Sequence, residues 1–97
     1  MQKWEYLTAL VGFSGTDSPW IERILGHELP NAAKLGLTRG LNVLGDDGWE
    51  LVSIHWPGTA TSSSDTNDPT YIFKRPVNAA LPAIDAETYA AKWKSLG

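Results

Sequence analysis

The hydrophobic and polar positions fall into short alternating runs separated by longer stripes of helical spacing. Over residues 2–13, Trp4, Tyr6, Thr8 and Leu10 share one face, and Leu7, Ala9, Val11 and Phe13 share the other, with Glu5 near the start. A period of two is the spacing of a strand. Both faces are largely apolar, which predicts a strand covered on two sides. Gly12, Ser14, Gly15 and Thr16 end it. Ser18-Pro19 then has the form of a helix start, because Ser can cap free N–H groups and Pro loses no hydrogen bond at the first helical position. Trp20, Ile21, Ile24 and Leu25 form an apolar side, which predicts a short helix over 19–25 with Gly26 past its end.

Pro30 breaks that pattern, and Asn31 is placed to cap a main helix over 32–44. Ala33, Leu37, Leu41 and Leu44 fall on one stripe of it. Gly36 and Gly40 lie inside. Each costs up to about 1 kcal/mol against Ala, so close packing on a sheet is expected there, or else a broken helix. Gly45 suits the C′ position of this helix. Asp46-Asp47-Gly48 reads as a tight turn, with Gly48 taking a positive φ.

Residues 49–56 alternate again, with Trp49, Leu51, Ser53 and His55 on one face and Glu50, Val52, Ile54 and Trp56 on the other. Pro57-Gly58 ends this strand. Residues 59–70 are rich in Ser, Thr, Asp and Asn, and read as a long mobile loop at the tip of an antiparallel hairpin whose second strand is 71–75. Residues 77–84 contain Pro82 and small residues, and are expected to cross the body in extended form. Asp85 is placed to cap a last helix over 86–96, with Ala86, Tyr89, Ala90, Trp93 and Leu96 on its apolar stripe.

Composition narrows the picture further. Ninety-seven residues predict a single domain over 1–97, and 42% apolar residues with five Trp suffice for one core. A domain of this size buries only about 60–70% of its surface, so help from a partner chain is expected. The chain has no Cys, which excludes a disulfide frame and thiolate chemistry and favours a reducing, cytoplasmic setting, while remaining compatible with secretion. Its first residues hold no apolar run of signal-peptide length, and no stretch approaches a membrane span. Net charge is −3 with acids and bases interspersed, which argues against nucleic acid as a partner.

Three segments stand together in order: Lys3-Trp4-Glu5-Tyr6; then Leu41-Asn42, Gly45 and Gly48-Trp49-Glu50-Leu51-Val52; then Tyr71-Ile72-Phe73-Lys74-Arg75-Pro76. This set resembles a family of small, mostly bacterial domains of unknown function, DUF four-one-seven-seven. The resemblance covers about a third of the residues and implies a β-α-β-β core. On that reading, residues 1–76 are the family-like part, with an inserted segment at 15–30 and the loop at 59–70. Residues 77–97 are a C-terminal extension. The family carries no agreed activity, so the resemblance transfers no catalytic residue.

The fold expected is therefore α+β: a three-stranded β-α-β-β sheet, one main helix, an added short helix and a C-terminal helix. The β-α-β link should be right-handed if the first two strands are parallel. Asp46, Asp47 and Glu50 read as a turn and a solvated strand end rather than an acid–base group, because no base or nucleophile is tied to them. His27-Glu28 and His55 lack zinc-ligand spacing. Asp65-Thr66-Asn67-Asp68 lacks the later Gly and Glu of a calcium loop. Lys74-Arg75 reads as a solvated strand end. No catalytic residue, metal ligand or cofactor is expected. The function expected is a non-enzymatic assembly module, a homo-oligomer or an accessory subunit of a larger protein. Trp20, Trp56, Tyr89 and Trp93 are its candidate contact residues, since such aromatics are enriched at interface hot spots. The alternative is a small-molecule or enzyme-like pocket lined by Trp49, His55, Trp56 and Tyr71.

Overall fold

The computed structural model describes residues 2–12, 19–56, 68–77 and 85–96. The described elements are β1 (Trp4–Gly12), β2 (Trp20–Ile24), β3 (His27–Glu28), α1 (Ala32–Asp46), β4 (Glu50–His55), β5 (Thr70–Pro76) and α2 (Ala86–Leu96). The architecture is α+β, but the sheet has five strands where three were expected, in the order β3-β2-β1-β5-β4. Every pairing is antiparallel. The β2–β3 pair and α1 separate β1 from β4 in sequence, and β5 lies between those two strands in the sheet. Both run antiparallel to β5, so β1 and β4 are parallel to each other, with one strand between them, which is the arrangement the handedness rule addresses.

β1 is central. Its inward row Leu7, Ala9 and Val11 is buried, as the alternation predicts. Opposite stand Phe73 and Tyr71 of β5, and Ile24 and Ile21 of β2. The helices cover this one face. α1 packs across β2, and α2 lies against β3 and α1. Leu29, Leu35, Leu44, Trp49, Tyr89 and Trp93 complete the core. The other row of β1 is not covered on both sides as expected: Trp4 and Tyr6 remain exposed.

The short helix expected over 19–25 is instead the β2–β3 hairpin. Its two turn residues both take positive φ, Leu25 at 53° and Gly26 at 82°. That is the backbone of a two-residue hairpin loop. Leu in the left-handed region is uncommon, so the sequence carries no Asn-Gly signal. A bulge hides the strand further. Ala9 pairs with Ile24 and Val11 with Ile21, which leaves Glu22 as an extra residue. The extra residue puts Ile21 and Ile24 on the same face. Three-residue spacing on one face is a helical signature, and here a bulged strand produces it.

α1 begins where the stripe predicts, but Asn31 adopts a left-handed conformation and makes no side-chain capping bond. Both alternatives for the internal glycines occur, at one residue each. Gly36 (φ 79°, ψ 166°) breaks the helix. Gly40 is the close contact: a Cβ there would lie 2.9 Å from Ile21 Cδ1 and 3.2 Å from Trp93 Cζ2. The helix also runs one residue past Gly45, so Gly45 is not the C′ residue. That position belongs to Gly48, at φ 91°. The Trp49 N–H donates to Leu44 O (3.1 Å) and the Gly48 N–H to Gly45 O (2.9 Å), the paired bonds of a Schellman ending. Gly48→Val is expected to cost about 1–3 kcal/mol through backbone strain alone, because the nearest atom to a Cβ there, Arg75 Cδ, is 4.0 Å away. Thermal melting measures it, and an unchanged midpoint would contradict the strain.

The antiparallel β4–β5 hairpin and α2 form as expected, with β5 one residue longer at each end. Asp85 caps α2: its Oδ1 accepts from the Thr88 N–H at 2.8 Å. β4 departs from simple alternation. Leu51 faces Phe73 and Ser53 faces Ile72, so Val52 is a bulge, and Leu51 and Ile54 share the helix-side face. The expected end of the first strand at Phe13, most of the loop expected over 59–70 and the extended crossing expected over 78–84 lie outside the described residues.

Candidate interaction surface

Arg75 is buried at the end of β5, where the three segments that carry the family resemblance meet. Its Nε donates to the Glu5 carboxylate across the β1–β5 pair. Its Nη1 donates to Asp47 O at 2.7 Å. Its guanidinium lies 4.4 Å from the centre of the Trp49 ring. Lys74-Arg75 is therefore not a uniformly solvated pair. Arg75 ties β1, the α1–β4 turn and the start of β4 together, while Lys74 sits over the exposed Trp4 ring at 4.3 Å.

A second set of bonds fastens α2 to the same turn. Trp49 Nε1 donates to Tyr89 Oη (2.7 Å), and the Tyr89 hydroxyl donates to Asp47 Oδ2 (3.0 Å). Lys92 Nζ bridges both Asp47 oxygens at 3.0 and 3.1 Å. The Asp46-Asp47 turn thus has a structural partner through Asp47. Burial raises the Tyr89 phenol well above its ordinary value; the Trp49 bond lowers it somewhat, and the nearby Asp47 adds to the rise. A phenol held protonated in the folded state and freer to ionise when unfolded gives stability that is complete below pH about 10 and falls above it. Wild-type protein is expected to lose stability above that pH more steeply than Tyr89→Phe, as alkaline denaturant titrations would show. At neutral pH, Tyr89→Phe should itself cost about 1–3 kcal/mol, because Trp49 Nε1 loses its acceptor.

The residues singled out from sequence are not brought into one place. Tyr89 and Trp93 are 1% and 0% exposed within their own chain, which removes them from the candidate contact set and assigns them to the core. Trp20 is half-buried, and Trp56 is 58% exposed. The pocket of the alternative reading does not assemble. Trp49 is buried against Tyr89 and Arg75, and Tyr71 lies on the same face of the sheet. His55, opposite Thr70, projects from the other face. His27 and Glu28 are exposed on β3, and Glu28 accepts from Arg23 at 3.0 Å. Among the described residues, no group of three or more His, Cys, Asp or Glu is placed to hold a metal ion.

One polar pair escapes the sequence patterns because the β2 bulge creates it. Glu22, the extra residue, stands by Asp68, and Gly12 lies beneath them: a Cβ there would meet Glu22 Oε2 at 2.6 Å. Partial burial, then the Asp68 carboxyl, raises the Glu22 pKa. Its contribution favours the fold at acid pH and is lost as pH rises. Glu22→Gln is therefore expected to raise the melting temperature at pH 7 and leave it little changed at pH 4.

What remains exposed is concentrated on β4 and on the sheet face away from the helices. All six residues of β4 are exposed, including Leu51 (40%), Val52 (42%) and Ile54 (42%). A shallow, open depression is lined by Leu51, Val52, Ser53 and Ile54. Tyr6, at 61%, and Trp4 lie on the face of β1 away from the helices, with β5 between β1 and β4. The two sheet edges differ. β3 is only two residues long, which blunts its edge. β4 is longer; it holds no Lys or Pro, and its edge features are Glu50 and the bulge at Val52.

Comparison of the chain with protein-family models, with curated proteins and with solved structures gives no match. No helix among the described residues is long and apolar enough to cross a membrane.

Proposed function

We propose that this chain is a non-enzymatic assembly module that associates with itself or with a larger protein through the free edge of β4 and the apolar side chains beside it. The observation that carries this reading is the exposure of β4 on both faces. Leu51, Val52, Ile54 and Trp56 are exposed along a strand that, among the described residues, pairs with β5 on one side and with no strand on the other. An exposed, apolar edge strand is a template for another strand and is otherwise an aggregation hazard. The same reading would make the protein an accessory subunit, and it fits a small domain of the resembled family. The polar residues near this edge support binding better than catalysis: Asp47 is occupied by Lys92 and Tyr89, and Tyr89 is closed off from solvent.

The test uses Ile54→Asp, which places a charge on the exposed strand without entering the core. The variant should keep the native circular dichroism spectrum. It should also lose whatever association native protein shows by light scattering or by quantitative capture from its host. Equal association by both proteins would overturn the β4 reading.

A further inference from the structure

We infer that the partner of β4 is β4 of a second copy, paired antiparallel about a two-fold axis that passes between Val52 and Ser53. The inference rests on the assembly reading above and adds a register to it. Around the proposed axis the sequence Trp49-Glu50-Leu51-Val52, Ser53-Ile54-His55-Trp56 matches like or complementary residues at three of its four pairs, the exception being Val52 with Ser53 at the centre. Antiparallel self-pairing there sets Glu50 opposite the second copy's His55 and Leu51 opposite its Ile54. Trp49 falls opposite Trp56. Each contact occurs twice by symmetry.

The bulge makes this register geometrically consistent. Directly opposite side chains in an antiparallel pair project to the same face. In an unbroken strand, residues an odd number of positions apart project to opposite faces. Glu50 and His55 would then differ, as would Leu51 and Ile54. The extra residue Val52 reverses the alternation after it. Leu51 and Ile54 share the helix-side face, across from Phe73 and Tyr71, while Glu50 and His55 share the other, across from Lys74 and Thr70. Two copies can therefore join with their helices on the same side, extending one five-stranded sheet into the next.

The polar ends are complementary as well. The Glu50 carboxylate meets the His55 imidazole at each end of the seam, Leu51 faces Ile54 inside them, and Val52 faces Ser53 at the centre. Trp56, 58% exposed and one residue past the paired strand, adds apolar area at each end of the seam. A standard stable interface buries roughly 800 Å² per partner. This short seam falls toward the lower end of that class, so a reversible dimer with a micromolar Kd is expected.

The absence of Cys allows a clean test by disulfide trapping. Opposed Cα atoms lie about 4.5–5.5 Å apart in an antiparallel pair, within the roughly 4.4–6.8 Å that a disulfide spans. The double variant Leu51→Cys/Ile54→Cys should form a covalent dimer of twice 10.6 kDa under mild oxidation. Leu51→Cys alone should not, because its two copies would be about three strand residues, or roughly 10 Å, out of register. In parallel, His55→Glu should weaken the native dimer roughly three- to thirtyfold by setting two like charges against Glu50. His55→Lys should restore it to within roughly threefold.

A native dimer that resists trapping and ignores the His55 charge would overturn this register while leaving the assembly reading standing. A native protein that stays monomeric at high micromolar concentration would overturn the homodimer; the assembly reading then stands or falls on capture by native protein against Ile54→Asp. If the cysteine pair itself prevents dimerisation, the two His55 variants decide the register.

Discussion

Trp93→Ala is expected to be the most damaging single truncation in the chain, costing about 3–5 kcal/mol. Trp93 is completely buried, and its ring meets Tyr89 edge-on at 6.2 Å. It also closes on the bare Cα of Gly40, so helix α2, helix α1 and strand β2 touch at this one point. Domains of this size have a total stability of about 5–15 kcal/mol, so the variant should melt more than about 12 °C lower or fail to fold. The indole N–H has no acceptor among the described residues. Trp93→Phe removes that unsatisfied donor together with some bulk, and should cost only about 1–2 kcal/mol. Gly40→Ala provides the coupling test. In the native background its methyl collides with Ile21 and Trp93 and should destabilise by about 1–3 kcal/mol. In the Trp93→Ala background the collision is partly relieved, and the coupling should reach about 0.5–3 kcal/mol. Additive effects in calorimetry would show that the two residues do not share this contact.

The second large effect is expected at Arg75. Arg75→Ala leaves the Glu5 carboxylate and the Asp47 carbonyl without their donor and strips the cation from the Trp49 face. Breaking a buried pair by removing one partner costs about 3–5 kcal/mol, and Glu5 keeps some water, so about 3 kcal/mol is expected here. Arg75→Lys should recover little, because one ammonium cannot replace a planar fork that bonds two acceptors and stacks on a ring. Glu5→Leu/Arg75→Leu should be more stable than Arg75→Ala, since no charge is left stranded. Denaturant unfolding orders the three variants. A double variant weaker than Arg75→Ala would show that the network contributes more than its desolvation cost.

The sequence makes legible those elements in which period and punctuation agree. The buried row of β1, the β4–β5 hairpin and the whole of α2 with its Asp85 cap follow from local pattern. Gly48 is legible as a turn glycine for the same reason. What escapes is whatever a bulge conceals. Glu22 and Val52 each add one residue to a strand, and each shifts an apolar pair to a spacing of three. At β2 that spacing imitates a helix. At β4 it hides which residues share a face, and with them the symmetry of the edge. The lock around Arg75 is also invisible locally. Glu5, Asp47, Trp49 and Arg75 are brought together only when β5 inserts between β1 and β4, and Arg75 read alone looks like a surface cation. Tyr89 and Trp93 carry the aromatic character of contact residues, but α2 folds back and spends it inside its own chain.

The insertion of β5 also orders events in time. β1 is the centre of the sheet, yet one of its two neighbours lies about sixty to seventy positions later: Leu10 meets Thr70, and Trp4 meets Pro76. During synthesis the chain can close the β2–β3 turn and wind α1 while one side of β1 still has no strand beside it. Contacts this distant are slow to form because the intervening loop must close before any of them stabilises it. A nascent chain stopped short of Thr70 therefore leaves one edge of β1 open and β4 without the strand it pairs with. Such a chain is exposed to misassembly on the ribosome, a stage at which chaperone cover matters more than the stability of the finished fold.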